Sequence, residues 1–157
     1  MQFEIKAMVP EDIERVMVVA RSMYSEGVYQ GYQLSEARTR MIMEELIVND
    51  IVLTDGAYID GVLGGVVVAE IITDLWADVN VVYDHAFYLM PEYRFGRVGL
   101  GLLKRLDEWA KANKADMTRI SVYAGVDNAR VASILDKIGY TRSGSLHVKE
   151  HTECVPA

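Results

Sequence analysis

Cysteine, proline and histidine are scarce in this chain of 157 residues, which has one cysteine and three each of the other two. A single cysteine, Cys154, excludes an intramolecular disulfide and is typical of a reducing compartment. The histidines at positions 85, 147 and 151 are irregularly spaced, and no pattern of metal ligands surrounds them. We therefore expect neither a disulfide framework nor a metal centre.

Long hydrophobic runs are also absent. The longest run, 62–72, is interrupted by Gly64, Gly65 and Glu70 and is shorter than the ~18 residues that a membrane span needs. The segment 1–10 lacks the charged start and the apolar block of a signal peptide. These absences predict a cytoplasmic protein that does not bind membranes.

Positive charge is in short supply as well, with 16 lysines and arginines against 23 acidic residues and a net charge of −7. Non-specific nucleic-acid binding needs a basic surface, so we expect no nucleic-acid partner. An acidic chain is compatible with a cationic substrate such as an amine, although most acidic proteins are simply soluble ones. The length and the 51% of hydrophobic residues predict one globular domain over 1–157.

A segment rich in glycine and arginine, 91–101, is the most informative part of the sequence and reads Pro-Glu-Tyr-Arg-Phe-Gly-Arg-Val-Gly-Leu-Gly. It lies between a predicted strand, 80–90, and a predicted amphipathic helix. Glycines let a backbone approach a ligand closely, and unpaired N–H groups at a helix start favour anions. Because Arg94 and Arg97 can bond phosphate oxygens, the segment predicts a phosphate-binding loop. The alternative is a glycine-rich turn that only caps the helix.

Hydrophobic periodicity elsewhere predicts an α/β domain with a mixed sheet. Pro10 and Gly27 mark the start and end of a first helix, and Asp60-Gly61 predicts a hairpin turn, with a second turn or bulge at Asp55-Gly56. The predicted strands are 3–8, 51–59, 62–72, 80–90, 119–124, 140–142 and 145–149, and the further helices are 34–46, 99–113 and 128–138.

The order of elements and two motifs resemble GNAT-family N-acetyltransferases. Gly99-Leu100-Gly101 matches the end of the family's Arg/Gln-x-x-Gly-x-Gly/Ala loop, which binds the pyrophosphate of acetyl-CoA. Gly96 occupies the Arg/Gln position, and Arg94 and Arg97 flank it. The segment 128–140 is similar to the family's Asn-x-x-Ala-x-x-Leu-Tyr-x-Lys-x-Gly-Phe motif. The loop is also similar to those of small GNAT-like proteins of bacteriophages and bacteria.

The resemblance implies a GNAT-like acyl-CoA N-acyltransferase fold, with a twisted, mixed, mostly antiparallel sheet of six or seven strands and four helices. It implies acetyl transfer from acetyl-CoA to a primary amine of a small molecule or peptide, and dimers are common in such folds. The N–H of Leu89 would donate to the thioester carbonyl. The implied cofactor contacts are Tyr88, Leu89, Met90, Arg94, Phe95, Gly96, Arg97, Val98, Gly99, Leu100, Gly101 and Asn128.

The family often places a carboxylate base on the strand before the loop, at positions that correspond to 83–85 here. Strand alternation would put His85 and Leu89 on one face of this strand and Asp84 on the other. Because histidine titrates near neutral pH, His85 is the first candidate for the base, followed by Glu70 and Asp84. The alternatives are a strand histidine paired with a neighbour, and a surface or bulge position for Glu70.

Acceptor contacts in the family come mostly from the loop between the first two helices and from the final hairpin. Tyr24, Tyr29 and Tyr32 are candidates for an aromatic wall around the acceptor, or else for packing or a partner interface. The family's tyrosine acid falls on Leu135. A second hypothesis is therefore a GNAT-like module that binds CoA or a protein without turnover, and a third is a structural protein that keeps only the fold.

Overall fold

The computed structural model describes residues 2–27, 29, 31–94, 97–122, 128–144, 147–149 and 151. These residues form five β-strands and four α-helices, with short 3-10 turns at Pro10–Asp12 and Pro91–Tyr93. The strands are β1 (Phe3–Ala7), β2 (Leu53–Ile59), β3 (Val62–Thr73), β4 (Asn80–Leu89) and β5 (Met117–Arg119), and the helices are α1 (Ile13–Glu26), α2 (Glu36–Ile47), α3 (Val98–Ala112) and α4 (Asn128–Lys137).

The strands form one sheet in the order β1-β2-β3-β4-β5. All neighbours are antiparallel except β4 and β5, which are parallel. The chain between β4 and β5 crosses over through α3, as a parallel pair requires. The prediction of a mixed, mostly antiparallel sheet with four helices is therefore confirmed for the described residues.

The predicted six or seven strands are wrong, since the described residues contain five. The strand predicted at 119–124 is instead β5, which ends at Arg119. Pairing stops there because the N–H of Ser121 donates to the Asp84 carboxylate at 3.1 Å and not to a strand carbonyl. Such a short edge strand offers little backbone for a further hairpin to pair with, and residues 140–144 and 147–149 are not in strands. Residues 123–127 and 145–146 lie outside the described part.

The predicted turns have two outcomes. Asp60 and Gly61 have φ angles of 48° and 84°, the left-handed values that a tight β2–β3 hairpin needs, so that turn is confirmed. The turn or bulge predicted at Asp55-Gly56 is wrong, because both residues pair in register within β2 against β3, and the register shift of these strands lies between Ala57 and Tyr58. Asp55 is buried there and accepts a 2.5 Å hydrogen bond from Arg105 of α3.

Two hydrophobic clusters hold the sheet between its helices. On one face, α3 places Leu102 and Leu106 against Val67 and Val82. On the other face, α1 packs together with β2, β3 and β4, and α2 adds apolar side chains at the edge of that cluster. Burial of apolar side chains on both faces stabilises the sheet and fixes where the end of β4 lies relative to the two helices.

Candidate active site

The strands β4 and β5 separate soon after they pair. They are matched only from Val81 to Tyr83, whereas β4 continues to Leu89. At the separation point the Asp84 carboxylate accepts hydrogen bonds from Ser121 N at 3.1 Å and Ser121 Oγ at 3.3 Å. Beyond it, no strand of the described residues covers this edge of β4, so an extended ligand has backbone groups to pair with.

The open edge includes the backbone of Leu89. Met90 N–H donates to Gly64 O of β3 at 2.8 Å, and backbone groups of successive strand residues point to opposite edges. The N–H and C=O of Leu89 therefore point away from β3, and its carbonyl accepts a 2.9 Å hydrogen bond from Arg94 Nε. This leaves the Leu89 N–H directed into the gap, and its bond to a thioester carbonyl stays a prediction.

Helix α3 begins beside that gap. Its first residue is Val98, so by helix geometry the N–H groups of 98–100 have no acceptor within the helix. A Cβ added to Gly99 would lie 3.9 Å from Leu89 Cδ2, which places the helix start in contact distance of the strand end. Arg97 precedes the helix and is exposed. Phe95 and Gly96, also predicted here, lie outside the described residues.

Gly101 has a different role from the one predicted. Its N–H donates to Arg97 O at 2.9 Å and so forms the first hydrogen bond of the helix. A Cβ at Gly101 would lie 2.7 Å from Ile5 Cδ1 and 3.1 Å from the Phe3 ring. This glycine lets α3 pack closely against β1, and its N–H is not left for a ligand.

Arg94 is also not where the phosphate prediction would place it. Its guanidinium donates from both terminal nitrogens to the Glu26 carboxylate at the end of α1 and lies over the Tyr88 ring. Tyr88 and α1 belong to one face of the sheet, whereas α3 packs on the other. The predicted phosphate contact of Arg94 is thus replaced by an ion pair on the α1 side.

Sequence reasoning missed the polar cluster around Glu26. Tyr88 Oη donates to Glu26 and lies 2.9 Å from Ser22 Oγ. The Arg94 guanidinium holds the pKa of the Glu26 carboxyl below its usual value, against the opposing effect of burial. Burial, and then the bond to Glu26, raise the pKa of Tyr88 to about 12. The only signal in the sequence is that Ser22 and Glu26 are four residues apart on one face of a helix.

The side chains of Tyr88 and Met90, both predicted cofactor contacts, pack in the α1-side cluster. The phenol of Tyr88 is engaged by Glu26, and the Met90 N–H is engaged by Gly64. Neither residue therefore offers the gap a side-chain donor, and within 88–90 it is the backbone N–H of Leu89 that is directed toward the gap.

A β-bulge at His85 changes the predicted faces of β4. Val68 is paired with Ala86 and Ala69 with Asp84, so His85 is the extra residue between them. The bulge reverses the alternation, and Asp84 shares its face with Leu89 while His85 does not. The predicted grouping of His85 with Leu89 is therefore wrong, because β4 has one more residue than β3 at this point.

The bulge brings the first two base candidates together. His85 Nε2 lies 2.9 Å from Glu70 Oε1 on the neighbouring strand, and the two side chains are 38% and 40% exposed. The ring of Tyr83 meets the imidazole edge-on, with centroids 5.4 Å apart. Asp84 is set apart from them, buried against Ser121, and burial raises the pKa of its carboxyl despite the hydrogen bonds from Ser121. The Glu70 carboxylate can orient the imidazole of His85 while both remain reachable from solvent.

The three tyrosines predicted to contact an acceptor lie at and after the end of α1. Tyr24 belongs to the helix and donates to the Tyr32 carbonyl, which closes the loop on itself. Tyr29 and Tyr32 are exposed. The loop, 27–35, departs from Glu26 and so begins at the polar cluster beside the end of β4.

The second motif forms helix α4, which is followed by Gly139 with a φ of 97°. The side chain of Asn128, a predicted cofactor contact, lies outside the described residues. Leu135, at the position of the family's tyrosine, is buried. Tyr140 donates a 2.7 Å hydrogen bond to Asp107, and burial together with that bond raises the pKa of its phenol.

The other clefts, potential metal ligands and helices of the described residues indicate no second functional site. A cleft of about 500 Å³ lies at β1, on the opposite edge of the sheet, and its Asp12 is already bonded by Tyr58, Val9 and Arg15. No group of three or more potential metal ligands occurs in the described ranges. In those ranges, too, no helix is long and apolar enough to cross a membrane.

Comparison with known proteins identifies a matching family model and solved structures with a similar fold. Residues 19–140 match the model of the acetyltransferase (GNAT) family. No curated protein matches the sequence. Among solved structures, the aminoglycoside N-acetyltransferase AAC(6')-Iy in complex with CoA superposes with a TM-score of 0.74 at 16% identity, over 98% of this chain and 96% of that chain.

Two further solved structures are similar. The PaiA N-acetyltransferase of Thermoplasma acidophilum in complex with coenzyme A is 23% identical with a TM-score of 0.68, over 92% of this chain and 93% of that chain. The ribosomal-protein-alanine N-acetyltransferase of Brucella melitensis biovar Abortus 2308 is 15% identical with a TM-score of 0.70, over 96% and 99%. With a family model matched over most of its length and a gap between β4 and β5 beside the start of α3, this chain belongs to the GNAT family of acetyltransferases.

Proposed function

We propose that this protein transfers an acetyl group from acetyl-CoA, its co-substrate, to a primary amine by direct attack. One observation carries the proposal: the open edge of β4 at Leu89 lies beside the unpaired N–H groups that start α3. The strand edge would suit the thioester arm of acetyl-CoA, and the helix start would suit its diphosphate. The CoA complexes of solved family members support this assignment.

The start of α3 would hold the diphosphate. The N–H groups of Val98, Gly99 and Leu100 and the helix dipole favour an anion, and Arg97 supplies a positive charge with room to move. The first turn of the helix contains no acidic residue that would repel a phosphate. The space above Gly99 fits this role, because a side chain there would stand between the helix start and Leu89. Phe95 and Gly96 complete the proposed loop.

The Leu89 N–H would bind the thioester carbonyl oxygen. Negative charge develops on that oxygen when an amine attacks, and a fixed N–H donor stabilises the transition state more than the ground state. Leu89 is held in place for this by its position at the end of β4, opposite Gly65 of β3. The strand therefore contributes orientation as well as a hydrogen bond.

His85 would accept the proton that the attacking amine must lose. With its Nε2–H donated to Glu70, the imidazole has Nδ1 available as the acceptor. Four residues of strand separate His85 from Leu89, about 13 Å at the usual rise, so the proton would travel through water. Both side chains are partly exposed, which gives the proton a path to solvent.

The departing sulfur would leave as a thiolate and take its proton from solvent. Leu135 has no proton to give, and the Tyr140 phenol is engaged with Asp107. An ordinary thiol has a pKa of about 8.5, so a thiolate is an acceptable leaving group near neutral pH. The amine nitrogen gains the acetyl group, the sulfur gains a proton, and the charges balance.

The acceptor is proposed to be a cationic amine of a small molecule or a peptide. Solved family members are named for aminoglycosides and for the alanine of a ribosomal protein. The net charge of −7 and the exposed rings of Tyr29 and Tyr32 are compatible with a positively charged acceptor. A cytoplasmic location and a homodimer stay predictions.

Thermal unfolding with and without acetyl-CoA tests this function. A ligand at 100 times its dissociation constant adds about 2.7 kcal/mol to the unfolding free energy, which raises the Tm of a chain of this size by about 5–10 °C. Acetyl-CoA should produce such a rise, and an amine panel should then release free thiol. An unchanged Tm at millimolar acetyl-CoA, with the protein folded, would contradict the proposal.

Leu135 favours one alternative, a module that binds CoA and does not turn it over. The same experiment separates the two functions. A rise in Tm without thiol release from any amine selects the binding module, whereas thiol release selects the enzyme.

A further inference from the structure

Arg94 makes a set of contacts that the proposed reaction does not use directly. Its Nε donates to Leu89 O at 2.9 Å, one terminal nitrogen donates to Glu26 Oε1 at 3.1 Å, and the other donates to Glu26 Oε2. Its guanidinium carbon lies 5.4 Å from the centre of the Tyr88 ring. The side chains of Arg94 and Glu26 are only 26% and 20% exposed.

We propose that Arg94 is a positioning residue that fixes the start of the acceptor loop, directly after Glu26, to the end of the strand that holds the acetyl donor. The inference rests on the proposed function and assigns Arg94 a role other than phosphate binding. The contacts of Arg94 with Glu26 and Leu89 would set the distance between the two substrates.

The chain topology supports this role. Glu26 is the last residue of α1, and the loop with Tyr29 and Tyr32 begins directly after it. Leu89 is the last residue of β4. Arg94 lies 68 residues from Glu26 in the sequence, and its side chain joins the start of the loop to the carbonyl of the donor strand. A change in this link would therefore move the acceptor relative to the thioester.

The ion pair is too well formed for Arg94 to serve a diphosphate at the same time. Turning it toward α3 would leave the mostly buried Glu26 carboxylate with the Tyr88 hydroxyl but without its positive partner, and an unpaired buried charge is costly. Arg97, in contrast, is exposed and makes no ion pair with the described residues. The positive charge for a diphosphate is therefore assigned to Arg97.

Arginine is specifically required for this geometry. Three nitrogens of one planar group reach three acceptor atoms on two residues of different elements, and the group also stacks on a ring. A lysine at the same position has a single ammonium group on a flexible chain. Arg94→Lys would keep the charge near Glu26 but lose the simultaneous bond to Leu89.

The variants Arg94→Gln, Arg94→Lys and Arg97→Gln test the proposal. Calorimetry with acetyl-CoA, hydrogen exchange of residues 27–35 and steady-state kinetics with the best amine of the panel are compared with wild type. We expect both Arg94 variants to bind acetyl-CoA within about twofold of wild type. The hydrogen-bonded loop amides of Gly27 and Tyr32 should exchange about tenfold faster, because the loop start is released. The KM for the amine should rise about tenfold with a smaller change in kcat, since positioning is lost.

Arg97→Gln should give the opposite pattern, with acetyl-CoA binding weakened about tenfold and loop exchange unchanged. The proposal is overturned if Arg94→Gln weakens acetyl-CoA binding as much as Arg97→Gln does, or if loop exchange stays at the wild-type rate. Glu26→Gln provides the second variant in case Arg94→Gln does not fold, and should reproduce the faster exchange.

The exchange measurement also separates this inference from the proposed function. If the wild-type protein binds no acetyl-CoA, the acetyltransferase proposal fails, but faster exchange in Arg94→Gln and Glu26→Gln would still support the link to the loop. If the double variant Arg94→Gln/Glu26→Gln exchanges no faster than either single variant, the two residues act as one unit. Additive effects would contradict a shared role.

Discussion

Replacing His85 with alanine should lower kcat with the best amine by about 100- to 1,000-fold, the usual contribution of a general base. Without a base, only the small fraction of amine molecules that is already deprotonated at the assay pH could attack. Binding of acetyl-CoA should stay within about twofold of wild type, because His85 faces Glu70 rather than the start of α3. Stopped assays of thiol release, with calorimetry for the cofactor, measure both quantities.

Two further variants separate the base from its surroundings. His85→Gln can still donate to Glu70 but has no proton acceptor of comparable basicity, so it should lose as much kcat as the alanine variant. Tyr83→Phe keeps the ring that meets His85 edge-on and should retain the wild-type rate. An alanine variant with unchanged kcat would exclude His85 and direct attention to Asp84.

Replacing Gly99 with tryptophan should abolish the rise in Tm that acetyl-CoA produces. The nearest atom to a Cβ at Gly99 is Leu89 Cδ2 at 3.9 Å, so the Cβ itself meets no clash, and the Tm of the variant without ligand measures how the fold accommodates the indole. The indole would occupy the space in front of the first N–H groups of α3. Loss of two charge-assisted hydrogen bonds weakens binding by about 100-fold or more. Thermal unfolding across a concentration series of acetyl-CoA reports the change.

Two control variants on α3 complete this experiment. Glu108→Trp adds the same bulk at an exposed position about two and a half turns further along the helix and should keep the ligand response. Gly101→Val should do the reverse of Gly99→Trp, because its Cβ would lie 2.7 Å from Ile5 Cδ1. Overpacking of this kind lowers the unfolding free energy by about 1–3 kcal/mol while acetyl-CoA still binds. Equal ligand responses in Gly99→Trp and Glu108→Trp would rule out the helix start as the cradle.

The elements that depend on local sequence could be predicted. The Asp60-Gly61 turn, the end of α1 at Gly27 and the glycine after α4 each follow from backbone preferences of a few neighbouring residues. The loop before α3 was recognisable because glycines, arginines and an amphipathic helix follow a strand within one segment. These local signals predict the donor half of the candidate site.

The features that were missed depend on residues far apart in the sequence. The bulge at His85 arises from the register between β3 and β4, and a period of two along β4 alone cannot reveal an extra residue. Arg94 resembles a phosphate ligand until Glu26, 68 positions away, is placed beside it. The end of β5 depends on the Asp84 side chain taking a backbone N–H. Tertiary pairing decides all three.

The backbone N–H groups of 97–100 and of Leu89 give the most direct test of how the donor is held. Amide chemical shifts of the labelled protein can be followed while acetyl-CoA is added, and in parallel with S-acetylpantetheine, which has the thioester but no diphosphate. Acetyl-CoA should shift both sets of amides, and S-acetylpantetheine should shift Leu89 while leaving 97–100 in place. If acetyl-CoA saturates the protein and the amides of 97–100 do not move, the diphosphate is held elsewhere and the account is wrong.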